Sequence, residues 1–77
     1  MEALLAYLAR SLVDEPDGVK VESFTEDDGT IVLELRVADG DLGKVIGRGG
    51  RTINALRSVI RAGSVKQGSR VLIDIVD

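Results

Sequence analysis

The stretch that decides the fold of this chain is Val45-Ile46-Gly47-Arg48-Gly49-Gly50-Arg51-Thr52-Ile53. Its apolar start is typical of a helix end, and the residues from Arg51 onward predict a second, amphipathic helix. The glycines between them permit positive φ angles and let a ligand approach the backbone closely. Because N–H groups at a helix start attract phosphate and the arginines add positive charge, this turn predicts a site for a sugar-phosphate backbone.

The charged residues are divided unequally along the chain. Residues 1–41 contain 11 acidic and 3 basic residues, whereas residues 42–77 contain 2 acidic and 7 basic residues. A local field of one sign can steer a polyanion even though the formal net charge of the chain is −3. Residues 42–77 are therefore predicted to form the surface that binds nucleic acid. The alternative is a bipolar surface that only keeps the protein soluble.

Length and composition limit the classes of function. The chain has 77 residues, 44% of them hydrophobic, which predicts one small domain over residues 1–77. It contains neither cysteine nor histidine, so disulfides, thiolate metal sites and a histidine general base are excluded. We predict a protein that is not an enzyme and needs no cofactor or metal. With no apolar run near ~20 residues and no secretory signal pattern, we expect it to be cytoplasmic.

Apolar periodicity predicts three helices and three strands. The helices are expected over residues 2–13, 42–46 and 51–63, and the strands are expected to begin near Val19, Ile31 and Val71. A polar loop, Gly63–Ser69, precedes the last strand. The first helix is expected to bury one stripe, formed by Leu4, Leu5, Leu8 and Leu12.

Three local features add detail. Phe24 breaks the alternation of the first strand, which favours a bulge or a twist there. The Asp-Gly pair within 26–30 predicts a hairpin turn. Asp41 is the predicted N-cap of the short second helix.

The order of elements restricts the topology. The first two strands are expected to pair as an antiparallel hairpin, and the last, after a helical crossover, is allowed to run parallel to its neighbour. The predicted fold class is α+β, with two layers: a three-stranded mixed sheet covered by three helices.

This order and the quoted stretch together resemble the K-homology (KH) domain. The stretch is similar to its signature, Ile-Gly-x-x-Gly-x-x-Ile between two helices, and the helix and strand added at the N-terminal side resemble the type II arrangement. Nearly all 77 residues resemble the small bacterial single-KH proteins of the KhpA family.

The resemblance implies a function and a site. Single-stranded RNA would lie against the turn, with about four nucleotides held there. Backbone N–H groups and arginines would meet phosphates, a lysine before the turn would reach the same strand, and aliphatic side chains would support bases. The residues expected to bind RNA are Lys44, Val45, Ile46, Gly47, Arg48, Gly49, Gly50 and Arg51.

The resemblance also implies partners. It points to a homodimer, or to a heterodimer with a larger KH-containing protein, and to a role as an RNA chaperone or post-transcriptional regulator.

Tyr7 and Phe24 are the only aromatic residues, so a sheet that stacks bases on aromatic rings is not predicted. Two alternatives stay open: a helix-turn-helix that reads DNA, and a protein-interaction module with the KH fold.

Overall fold

The computed structural model describes residues 1–65, 68 and 70–76, with Val65 described by its backbone alone. The helices are α1 (Glu2–Leu12), α2 (Leu42–Ile46) and α3 (Arg51–Val65). The strands are β1 (Lys20–Thr25), β2 (Ile31–Arg36) and β3 (Val71–Ile75). Single 3₁₀ turns span Pro16–Gly18 and Arg48–Gly50. The predicted order of helices and strands is therefore confirmed.

The three strands form one mixed sheet in the order β1-β2-β3. β1 pairs antiparallel with β2, from Lys20 opposite Arg36 to Thr25 opposite Ile31. β2 pairs parallel with β3, from Ile31 opposite Val71 to Leu35 opposite Ile75. The helices cover one face of this sheet, which confirms the predicted two-layer α+β class.

The first strand contains no bulge, so the expectation of a bulge at Phe24 was wrong. Its pairing with β2 is unbroken from Lys20 to Thr25. Alternation along an unbroken strand sends Phe24 to the face opposite the helices. The ring is 48% exposed there.

The hairpin turn between β1 and β2 is confirmed. The N–H of Glu26 donates to the carbonyl of Thr30 at 2.7 Å, and Gly29 has a φ of +89°. The N–H of Thr30 donates to Oδ1 of Asp28 at 2.9 Å, which lowers the pKa of that carboxyl below its usual value. This bond therefore stabilises the fold at neutral pH, and the contribution is lost as the pH falls through the lowered pKa.

The first helix is rotated relative to the predicted stripe. Leu5 and Ala9 are fully buried and Ala6 nearly so, whereas Leu4 and Leu12 are 36% and 38% exposed. Small alanine side chains let this helix lie close to its neighbours, so the buried line follows Leu5 and the alanines. The leucines on the rim remain accessible.

The third helix extends beyond its predicted end. Gly63 indicated a terminus, but the helix continues through it to Val65. A Cβ at Gly63 would lie 3.3 Å from Sδ of Met1, so the missing side chain makes room for Met1. The buried hydroxyl of Ser64 donates to the carbonyl of Ile60 at 2.7 Å, within the helix. Of the loop predicted to follow, Lys66, Gln67 and Ser69 lie outside the described residues.

The core anchors the segment between the second and third helices. Val45, at the end of α2, is fully buried, and Ile53, at the start of α3, is 5% exposed. Both pack with Leu33 and Leu35 of the central strand, Ile60 of α3 and the rest of one cluster. The intervening turn is therefore held at both ends. Among the described residues, no helix is long and apolar enough to cross a membrane.

Candidate nucleic-acid interface

Three glycines with positive φ shape the turn between α2 and α3. Gly47 has φ 75° and ψ 171°, Gly49 has φ 62° and Gly50 has φ 80°. The N–H of Gly47 donates to the carbonyl of Gly43 at 2.9 Å, and the N–H of Gly50 donates to the carbonyl of Gly47 at 3.2 Å. Residues with a Cβ rarely adopt these angles, so the turn depends on glycine.

The three glycines differ in what surrounds them. A Cβ at Gly47 would lie 2.8 Å from Cβ of Thr52 and 2.9 Å from its N atom, which leaves no space for a side chain. A Cβ at Gly49 would meet nothing within 4 Å. Gly47 is therefore required by packing within the fold, whereas the backbone around Gly49 is open to an approaching ligand.

Two of the predicted cations flank this open backbone. Arg48 and Arg51 are both exposed, one inside the turn and one at the first residue of α3. Neither forms an ion pair with the described part of the chain. Their charge is available to an anion at the turn.

The third predicted cation, Lys44, is already engaged by acids. Its ammonium donates to Oδ2 of Asp14, from the connector after α1, and lies 3.7 Å from Oδ1 of Asp41. The hydrogen bond to Asp14 raises the pKa of Lys44 above its usual value. An anionic ligand must therefore compete with these carboxylates for Lys44.

Asp41 holds that acid cluster in place, and its predicted position at the N-cap of α2 is confirmed. It occupies the N-cap position of α2, but its side chain makes no capping bond. Asp41 is 3% exposed, and its carboxylate accepts from the backbone N–H groups of Glu15 at 3.0 Å and Asp14 at 3.3 Å. These N–H groups follow the end of α1, so the carboxylate ties this connector to the start of α2.

The two aliphatic residues before the turn have different accessibility. Val45 is fully buried and supports the turn from within the core, whereas Ile46 is half-buried and retains surface beside the turn. Gly43, one turn earlier in α2, is exposed, and a Cβ there would meet nothing within 4 Å. Close packing therefore does not account for Gly43.

A groove along α3 extends the surface beyond the turn. It has a volume of about 440 Å³ and is lined by residues of α3, of the edge strand β3 and of its neighbours: Arg57, Ile60, Arg61, Val71, Leu72, Ile73, Asp74, Val32 and Glu26. Two arginines and two carboxylates therefore face the same groove. The absence of acids between Leu42 and Arg70 was the available sequence signal for the arginines. The contribution of the strand was missed, because only tertiary packing brings an edge strand beside a helix.

We expect the glycines of the turn to tolerate substitution unequally. Gly47→Ala should lower the free energy of unfolding by about 2 kcal/mol or more, because it combines backbone strain with a clash against Thr52. Gly49→Ala should cost about 1 kcal/mol, from the positive φ alone. Urea denaturation followed by circular dichroism measures both. Equal losses would contradict the packing role of Gly47.

We expect Asp14→Asn to lower the pKa of Lys44 toward its usual value of 10.5. NMR titration of the lysine side chain measures this, and Asp17→Asn on the same connector is the matched control. Because folding raises this pKa, the ion pair stabilises the fold at neutral pH, and its contribution is lost as the pH rises through the raised value. An unchanged pKa in Asp14→Asn would show that the pair does not persist in solution.

Comparison with known proteins agrees with this architecture. A family model described as "KhpA/KhpB, KH domain" matches residues 2–75. The RNA-binding protein KhpA of Clostridium acetobutylicum is 49% identical over 76 residues, covering 99% of this chain and 100% of the relative. The protein of the same name from Halalkalibacterium halodurans is 49% identical over 78 residues, covering 100% of both. That of Treponema pallidum is 43% identical over 76 residues, covering 99% and 94%.

No solved structure matches this chain. The resemblance drawn from the signature and the order of elements is confirmed by the family model and by relatives that align from end to end. This chain therefore belongs to the KhpA/KhpB family of KH-domain proteins.

Proposed function

We propose that this protein binds single-stranded RNA at the turn Gly47–Gly50 and acts without catalysis, in the cytoplasm, as an RNA chaperone or post-transcriptional regulator. One observation carries the proposal: the backbone around Gly49 is open, exposed arginines flank it, and both ends of the turn are buried in the core. The relatives named RNA-binding proteins give independent support.

The turn favours the backbone of the strand as its ligand. Phosphates meet the N–H groups near Gly49 and Gly50, where no Cβ blocks their approach. Arg48 and Arg51 add charge, and Lys44 joins them when phosphate displaces Asp14. Such contacts neutralise charge without reading sequence, so affinity depends strongly on salt.

The groove along α3 takes the bases. The half-buried Ile46 offers aliphatic surface beside the turn, while Arg57 and Arg61 of the groove offer charge and hydrogen-bond donors. Within the described residues β3 pairs only with β2, so the backbone along its other edge suits the polar edges of unstacked bases. About four nucleotides fit such a module.

We expect the double variant Arg48→Asp/Gly49→Asp to lose RNA binding by about tenfold or more while keeping its circular dichroism spectrum. It replaces one cation by an anion and places a second carboxylate where phosphate approaches. Fluorescence anisotropy with single-stranded RNA at several salt concentrations measures the loss, and the salt slope should fall by about 0.7 for each phosphate contact removed. The double variant Arg10→Asp/Ser11→Asp, at exposed positions of α1, makes the same change of charge and is the matched control.

Three other outcomes would redirect this proposal. Unchanged binding by the double variant would place the RNA site elsewhere. Tighter binding to duplex DNA than to single-stranded RNA would favour the helix-turn-helix alternative. A wild type that binds no RNA at low salt would favour a protein-interaction module.

A second chain is part of the proposal, because one small domain grips few nucleotides and linked sites gain effective concentration. The groove between α1 and α3 supports this. It has a volume of about 250 Å³ and an apolar lining that includes Leu8, Leu12, Ala55 and Val59. Leu12 is 38% and Val59 46% exposed. We infer that a second copy, or a larger KH-containing partner, covers this groove.

We expect Val59→Asp to shift the protein toward the monomer, because a carboxylate in an apolar interface loses its hydration. Sedimentation velocity over a concentration series measures this. Ser58→Asp is the matched control, since it adds the same charge at the next exposed position of α3. A wild type that is monomeric at every concentration would contradict the homodimer. The heterodimer with a larger KH-containing protein would then remain as the proposal.

A further inference from the structure

The sheet has an outer face that no described helix covers, and an apolar row crosses it. Phe24 lies opposite Val32 on the neighbouring strand, and Val32 lies opposite Leu72 on the third strand. Phe24 is 48% and Leu72 37% exposed, while Val32 is half-buried. We call these three residues the outer apolar row. Each strand contributes one side chain, so the row spans the width of the sheet.

Acidic residues border this row on both sides. Two residues from the outer apolar row on each strand, Glu22 lies opposite Glu34 and Glu34 lies opposite Asp74. These three carboxylates form an acidic row parallel to the apolar one. On the other side, the hairpin tip carries Glu26, Asp27 and Asp28, all exposed.

This arrangement destabilises the fold rather than stabilising it. Like charges directly opposite each other on neighbouring strands are destabilising, and exposed apolar side chains gain nothing from burial. Lys20 and Arg36 lie opposite each other one repeat beyond the acidic row. They place cations on the far side of that row.

At the other end of the outer apolar row, Arg57 and Arg61 line a groove with Leu72, and Arg70 attracts Asp28 of the hairpin tip. The Phe24 end of the row is therefore the end at which carboxylates dominate, with Glu22 and Glu26 on the same strand and its turn.

The charge decides what this face can bind. Carboxylates on both sides repel the phosphates of RNA. A second copy presenting the same face would bring its own acidic row against this one, so symmetric pairing through the sheet is disfavoured. A cationic peptide segment with one apolar side chain complements both the negative potential of the carboxylates and the outer apolar row.

We propose that the outer face of the sheet docks a basic protein segment, whose lysines or arginines pair with the acidic row and the hairpin tip while one apolar side chain rests on Phe24. The turn lies on the helix-covered side of the molecule, whereas Arg57 and Arg61 share the groove at the β3 edge with Leu72 of the outer apolar row. RNA held at the turn and a segment anchored on Phe24 therefore occupy different surfaces, which meet at this groove.

The probe is a short lysine-rich peptide with one central leucine, titrated into ¹⁵N-labelled protein at low salt. Chemical-shift changes should centre on Phe24, Val32 and Leu72. Glu34→Lys and Phe24→Thr should each weaken binding by about tenfold, since the first reverses the middle of the acidic row and the second removes the anchor while keeping a strand-forming residue. Glu2→Lys, the same charge reversal on α1, is the matched control and should change affinity by less than about twofold.

Two results would overturn the proposal. Equal weakening by Glu34→Lys and Glu2→Lys would mean that the peptide senses only net charge, and equal binding of a peptide with serine in place of the leucine would remove the anchor. RNA affinity, measured on the same proteins, should be the same for both charge reversals. A wild type that binds the peptide but not RNA would contradict the proposed function and leave the docking surface intact.

Discussion

The burial of Val45 and Ile53 on either side of one glycine turn is the constraint on which the rest of this structure depends. These side chains fix the end of α2 and the start of α3 on the sheet. The backbone between them has to reverse within a few residues, and it does so through positive φ angles. A rigid frame thus carries a short stretch of bare backbone, an arrangement that lets a ligand bind without ordering a mobile loop first.

The same frame explains why the turn needs glycine for two different reasons. At Gly47 the space is taken by Thr52, so the requirement lies inside the fold. At Gly49 a Cβ would meet nothing within 4 Å, so the backbone there is open. The turn therefore combines one glycine required by packing with one whose surroundings are empty.

Charge is sorted in space as well as along the chain. The acid-free segment forms the turn and the polar side of α3, while acids collect on the outer sheet face, the hairpin tip and the connector after α1. Lys44 joins the two sets through Asp14 and Asp41, and the buried carboxylate of Asp41 keeps this contact in place by accepting two backbone N–H groups. A modest net charge therefore conceals surfaces of opposite charge.

By itself, the sequence determined the order of elements, the mixed sheet, the turn and its flanking arginines. These follow from apolar spacing and from residues such as Gly47 and Arg48 that act locally, and the signature named the family. Tertiary structure alone decided which side chains are accessible: it buried Val45, turned Phe24 outward, turned Asp41 toward the connector and engaged Lys44 with Asp14. It also brought β3 beside α3 to complete the groove. The physical reason is that burial and pairing depend on residues far apart in the chain, such as Lys44 and Asp14, whose proximity exists only once the elements have packed.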